Sequence, residues 1–132
     1  KLLREATKAL AEKTKTLAIT ATNEGDLYYS GAANILDMPE FYDYQLTHEL
    51  LETLDEYAFW WRVLEAHEDP FSILVGDDLS NGLMTQCGFV YYKFKTPHVS
   101  GAIGVVGPSR LNYPAVIPVV RYLGTLIGEF AS

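Results

Sequence analysis

Cysteine is nearly missing from this chain: Cys87 stands alone among 132 residues. One thiol closes no internal disulfide, so the chain is not held together like a small secreted domain, and a reducing cytoplasm is the expected compartment. A small, buried apolar role suits Cys87. Histidine is scarce as well. His48, His67 and His98 fall on three different predicted elements, none at ligand spacing with a cysteine or another histidine, which argues against a zinc site. No apolar run approaches the ~20 residues that a membrane span needs. The Lys-rich first residues carry no apolar signal core, so neither export nor a membrane role is expected. The serine-hydrolase pattern G-x-S-x-G is absent. Gly101, Gly104 and Gly107 are not followed by G-K-[ST] and lie within a predicted strand, so close backbone approach suits them better than phosphate binding. With no acid–base or nucleophile set in view, no enzyme and no cofactor are expected.

Basic residues are also few. Ten Lys and Arg oppose 17 Asp and Glu, a net charge of −7. The excess comes from one segment: residues 40–70 hold nine acids and one base, Arg62. Such a chain is not expected to grip a phosphate backbone by itself, because that needs clustered Lys and Arg. The only basic cluster is Lys1, Arg4, Lys8, Lys13 and Lys15, which reads as a solvated helix face or as a junction near DNA. Asp77-Asp78 is too little for a calcium loop and reads as a solvated turn.

What is present is a globular composition, 48% hydrophobic and 20% charged, in a length that suits one domain over 1–132. The chain opens on Lys1 rather than Met and is expected to be a piece of a longer protein. No internal repeat, low-complexity tract or linker is visible. Residues 1–14 are predicted helical, with Leu3, Ala6 and Leu10 on one face. Residues 17–22 and 27–30 read as a hairpin around the turn Asn23-Glu24-Gly25-Asp26. Ser30 to Leu36 reads as a tight connector. Asp37 is the predicted N-cap of the next helix, with Pro39 in its first turn, Glu40 completing a capping box and Leu36 stapled to Phe41. That helix is expected to run to about Ala66, with a break allowed near Tyr44, on a seam of Leu50, Leu54, Tyr57, Trp61 and Leu64. Phe59, Trp60 and Trp61 are consecutive, and each helical step turns ~100°, so they cannot share one face. Either two sides of the helix are covered, or a large aromatic such as Trp60 is exposed for a partner.

Residues 71–75, 86–96 and 99–106 are predicted strands, the second of them half-buried. The first two are joined by a loop over residues 76–82. A last helix opens at Asn112 and carries Pro118, expected to kink its first turns. Helix, hairpin, helix, three strands and helix make an α+β fold: an antiparallel sheet with N- and C-terminal helices packed on it, GAF/PAS-like in size. Arg110 is the most informative charge. It precedes a helix N-terminus, where the helix dipole gives a cation nothing, so a carboxylate, carbonyls or an anionic ligand should hold it.

Two segments carry a family resemblance. Ser30-Gly31-Ala32-Ala33-Asn34-Ile35-Leu36, then Pro39-Glu40-Phe41, resembles a G-G-x-S-N-L-L-x-x-P-E-F pattern. Ile103-Gly104-Val105-Val106-Gly107-Pro108-Ser109-Arg110-Leu111-Asn112-Tyr113, with Val116-Ile117-Pro118 after it, resembles I-G-V-I-G-P-T-R-M-x-Y-x-x-V-I. Both belong to HrcA, the heat-inducible transcription repressors of bacteria. The resemblance also takes in Val75-Gly76-Asp77-Asp78, Gln86-Cys87 and the helix that opens the chain. It implies a GAF-like regulatory and oligomerising domain. It implies an operator-binding winged helix N-terminal to that domain, a homodimer, and help from the GroEL-type chaperonin in repressing chaperone operons. The winged helix is absent from these 132 residues, so DNA binding is assigned to no residue here. The family's inserted dimerising domain also looks missing, because Leu17–Thr22 leads through a four-residue turn to Leu27. Ser109 and Leu111 replace the pattern's Thr and Met, and at its open position Asn112 stands in place of the family's Asp and keeps a helix-capping residue. Arg110, Tyr113, Asn34 and Trp60 are the candidate contact residues. The rival reading is a stand-alone GAF-like small-molecule sensor or interaction module, with a ligand held among Tyr28, Tyr91, Tyr92 and Phe94.

Overall fold

The computed structural model describes residues 2–76 and 86–130. Helix α1 (Leu2–Thr14) presents Ala6, Leu10 and Ala11 to the interior, as its periodicity predicts. Strands β1 (Leu17–Thr22) and β2 (Leu27–Ser30) form the expected hairpin, paired from Ala18 with Ser30 to Ala21 with Leu27. After α2 (Ala32–Leu36), a 3-10 turn (Pro39–Tyr42), α3 (Tyr44–Thr53) and α4 (Tyr57–Glu65), the chain makes β3 (Phe71–Val75), β4 (Cys87–Lys95), β5 (Ser100–Pro108) and α5 (Tyr113–Phe130). The five strands form one antiparallel sheet in the order β2-β1-β5-β4-β3. The α+β, GAF-like architecture of the sequence reading is therefore the observed one.

The sheet separates two cores. Helices α2, α3 and α4 cover one face, where Leu50, Leu54, Trp60, Leu64, Phe89 and Tyr91 are buried together. Helices α1 and α5 cover the other, over Leu10, Val90, Ile103, Val105, Val120 and Ile127. Strand β4 is consequently not half-buried. It lies between β5 and β3, and both its faces are covered along Cys87 to Tyr91. Gly104 permits a close strand approach in this sandwich: a Cβ there would collide with the Val90 carbonyl and come within 2.8 Å of Tyr91 Cβ.

The predicted long helix is the main departure. The Ser30–Leu36 connector contains α2, and Asp37 closes that helix instead of opening the next. The working N-cap is Asp43, whose carboxylate accepts the Leu46 N–H at 3.2 Å. Leu36 is exposed while Phe41 is buried, so the two form no staple. A second interruption falls at Leu54–Glu56, where Glu56 leaves helical geometry. It resets the helical phase. Trp60 and Val63, rather than Tyr57 and Trp61, face the core beside Leu64. Trp60 is completely buried, and its indole N–H donates to the Thr53 carbonyl at 2.9 Å. That bond satisfies one of the carbonyls left open where α3 ends. Pro118 lies inside a continuous α5.

Candidate functional site

The two motif segments, seventy positions apart in sequence, meet at one end of the sheet. Strand β5 ends at Pro108, opposite Cys87 of β4, and the chain turns through Ser109–Asn112 into α5. The turn is fixed by backbone and side-chain bonds. Ser109 N–H donates to the Gln86 carbonyl at 2.8 Å, and Leu111 N–H to the Pro108 carbonyl at 3.0 Å. The Tyr113 hydroxyl donates to the Ser109 carbonyl at 2.6 Å. Burial raises the Tyr113 phenol above its ordinary pKa. Gly88 leaves room for this hydroxyl, since a Cβ there would lie 2.9 Å from it. The carbonyl of Asn112 accepts the first N–H groups of α5, from Ala115 and Val116 at 3.0 Å each.

Arg110 points from that turn to Glu40 in the 3-10 turn. Its Nε donates to one carboxylate oxygen and its Nη2 to the other, the second at 2.9 Å. This two-pronged contact is the geometry a guanidinium favours with a carboxylate. Of the alternatives that the sequence leaves open for Arg110, a carboxylate is the one realised. The Arg110 side chain is 63% exposed and that of Glu40 20%. The hydrogen bonds from Arg110 hold the Glu40 carboxyl below its ordinary pKa. Cys87 is buried beside this clasp. Desolvation first, and the negative charge of Glu40 second, push its thiol to about 12.

Asn34 belongs to the same end of the molecule but is committed to structure. Its amide donates to the Thr16 carbonyl at 2.9 Å and to the Ala11 carbonyl at 3.4 Å, tying α2 to the end of α1 and the start of β1. Lys15, between those elements, is left-handed at φ 56. Trp60, proposed from sequence as an exposed partner contact, is core and cannot touch a partner directly. The surplus of adjacent aromatics resolves in the other way foreseen. Trp60 meets Phe59 edge-on at 4.9 Å and Phe89 at 5.3 Å, while Trp61 stacks on Tyr57 at 5.9 Å.

The aromatic ligand cage of the rival reading does not assemble. Tyr91 lies in the core under α4, and Tyr92 packs beneath Gly124 of α5 on the opposite face. Tyr28 lies on edge strand β2 under the Arg4 guanidinium, 5.2 Å from its ring centre. Sequence reasoning missed a different concavity, a cavity of about 410 Å³ at the other end of the sheet. Trp61, Leu64, Glu65, Glu68 and Pro70 form one wall, and Lys93, Lys95, Ser100 and Ala102 the other. No motif marks it, because its lining comes from α4, the segment after it, β4 and β5, which only the fold brings together. The Asp77-Asp78 pair and the 76–82 loop lie outside the described residues apart from Gly76. Among the described residues no group of three His, Cys, Asp or Glu side chains is arranged to hold a metal, and no helix is long and apolar enough to cross a membrane.

A five-stranded antiparallel sheet with helices on both faces, clasped at one end and open at the other, defines an α+β domain of GAF-like fold. Among solved structures, the fold matches a hypothetical protein at a TM-score of 0.80 and 10% identity, over 97% of this chain and 68% of that one. It also matches a transcriptional regulator assigned to the IclR family from Rhodococcus sp. at 0.53 and 13% identity, over 97% and 61%. The HrcA protein C-terminal domain matches residues 1–117, and the chain belongs to the HrcA family. Its relatives include the heat-inducible transcription repressor HrcA of Desulforudis audaxviator, 32% identical over 77% of this chain and 31% of that protein. The repressor of the same name from Ruminiclostridium cellulolyticum is 29% identical over 92% and 36%. The chain thus spans about a third of the length of the relatives it matches.

Proposed function

We propose that residues 1–132 form the GAF-like regulatory and oligomerising domain of a heat-inducible transcription repressor. The domain acts in the cytoplasm, is not an enzyme and needs no cofactor. The observation that carries this reading is the family match over residues 1–117, joined to the Glu40–Arg110 clasp between its two motif segments. Operator DNA is bound by an attached N-terminal domain, and the functional unit is a homodimer. A GroEL-type chaperonin favours the state in which the DNA-binding domain is competent. The mechanism is a shift of populations, so the chaperonin must contact the two states unequally. Arg110 and Tyr113 are the contact residues at this end of the domain. Arg110 keeps N–H groups that Glu40 does not use, and it is exposed enough to offer them.

An operator-shift titration with the full-length repressor tests this directly. Added chaperonin should tighten operator binding, and Arg110→Ala should weaken that response while leaving the affinity without chaperonin unchanged. Operator affinity indifferent to chaperonin would remove the mechanism.

A further inference from the structure

The cavity at the open end of the sheet carries chemistry that the repressor reading does not use. Its floor is apolar, with Ala102 from β5 below and Leu64 and the Trp61 ring at the side. The wall is held in place. Trp61 stacks nearly parallel on Tyr57, at 11°, and the Tyr57 hydroxyl donates to the Thr22 carbonyl. Lys93 fastens the chain beyond α4 to the sheet, its ammonium donating to the His67 carbonyl and its backbone N–H to the Pro70 carbonyl at 2.7 Å.

Charges of opposite sign line the two sides of the mouth. Glu65 and Glu68 stand on the helix side, and Lys93 and Lys95 on the strand side. None of the four is in an ion pair with another described residue. Glu65 is the last residue of α4, where the helix dipole is already negative, so that side favours a cation twice over. Across from it, the Lys95 ammonium has no partner among the described residues, and Lys93 uses only one of its three donors on a side-chain bond there. An apolar floor between an acidic and a basic rim matches a ligand with an apolar body and one charge of each sign. A volume of about 410 Å³ lies within the range of small-molecule sites and exceeds what a single metal or inorganic ion requires.

We propose that this cavity binds a zwitterionic small molecule with an apolar side chain, a free apolar amino acid. Its ammonium faces Glu65 and Glu68, its carboxylate faces Lys93 and Lys95, and its side chain lies on Ala102 and Trp61. The site is independent of operator binding and would survive the failure of the repressor reading.

Calorimetric titration of the purified natural gene product decides it, with L-phenylalanine, L-leucine and L-methionine as probes. At least one should bind. For that probe, the analogues lacking the ammonium or the carboxylate (3-phenylpropionate and phenethylamine, for phenylalanine) should each bind about tenfold weaker or worse, the loss of one charged contact. Lys95→Glu, on an exposed side chain, should weaken the amino acid and the carboxylate analogue but not the amine. Ala102→Leu should fill the floor and abolish binding, with a circular-dichroism melt confirming that the variant folds. Should Ala102→Leu fail to fold, Trp61→Ala serves as the floor variant and should weaken every probe. No binding of any of the three amino acids at millimolar concentration would overturn the proposal. So would an amine that binds as well as its amino acid, or binding untouched by both Lys95→Glu and the floor variant.

Discussion

Trp60 shows how much one side chain settles. Its ring joins α4 to Phe89 of the sheet, and its N–H closes the end of α3, so it fixes both the depth and the phase of α4. Trp60→Ala should cost about 3–5 kcal/mol, read as a lower urea midpoint, because a large cavity and an unpaired carbonyl appear together. Cys87 makes a prediction about reactivity. Its thiol is pushed to about 12 from an ordinary 9.0, so in native protein it should resist a thiol-labelling reagent at mildly alkaline pH and react only after denaturation. The linkage has a definite sign. The folded state favours the neutral thiol, so this contribution is complete below the ordinary value and is lost as pH rises from there toward about 12. Glu40 behaves oppositely. Its folded-state pKa is lowered, so its contribution is present above the ordinary carboxylate value and disappears as pH falls through the folded one. Melting curves should therefore separate Glu40→Gln from the parent at neutral pH and bring them together on acidification, with added salt narrowing the gap at this exposed pair.

Helix boundaries are where sequence and structure part, and the reasons are physical. Periodicity found α1, the hairpin, all five strands and α5 within a few residues, because each shows one uninterrupted pattern. Between Leu36 and Glu65 the chain offers three aspartates with capping chemistry, and the first two, Asp37 and Asp43, compete for the same helix start six positions apart. Which one opens a helix depends on where Phe41 finds its pocket, and that is a tertiary fact. The Leu54–Glu56 break carries no Gly or Pro; Asp55 is its one local hint, and the Trp60 bond to the Thr53 carbonyl across it is visible only in the fold. The two caps make a clean test. Asp43→Ala should cost about 1 kcal/mol by losing the bond to Leu46, whereas Asp37→Ala should stay within about 0.5 kcal/mol. Chemical denaturation of the two variants side by side reads the difference. The candidate site was half legible in the same sense. The motifs and Arg110 stood out in sequence, and a carboxylate was among the partners expected. That the carboxylate is Glu40, and that Trp60 is core, required the fold. The cavity has no sequence signature, because it is a gap between elements.

Over the whole molecule, charge follows the two-core architecture. The acidic stretch 40–70 builds α3, α4 and their flanks on one face of the sheet, while Arg4, Lys8 and Lys13 lie on α1 across it. With a net charge of −7, this chain alone should leave a labelled DNA duplex unshifted at physiological salt. A mobility-shift titration of residues 1–132 checks this, and a shifted band would place a nucleic-acid surface on the α1 face. Strand β5 lies in the middle of this arrangement, paired on both edges and covered on both faces. It is the shared wall of two rooms that are already full. Enlarging a residue on either side displaces occupants of that side, and at Gly104 the obstacle is backbone, which has nowhere to go. Sequence drift in this domain should therefore be channelled away from β5 and into the helices and edge strands. A saturation library selected only for folding would return 101–107 almost unaltered, whatever the domain was later asked to bind.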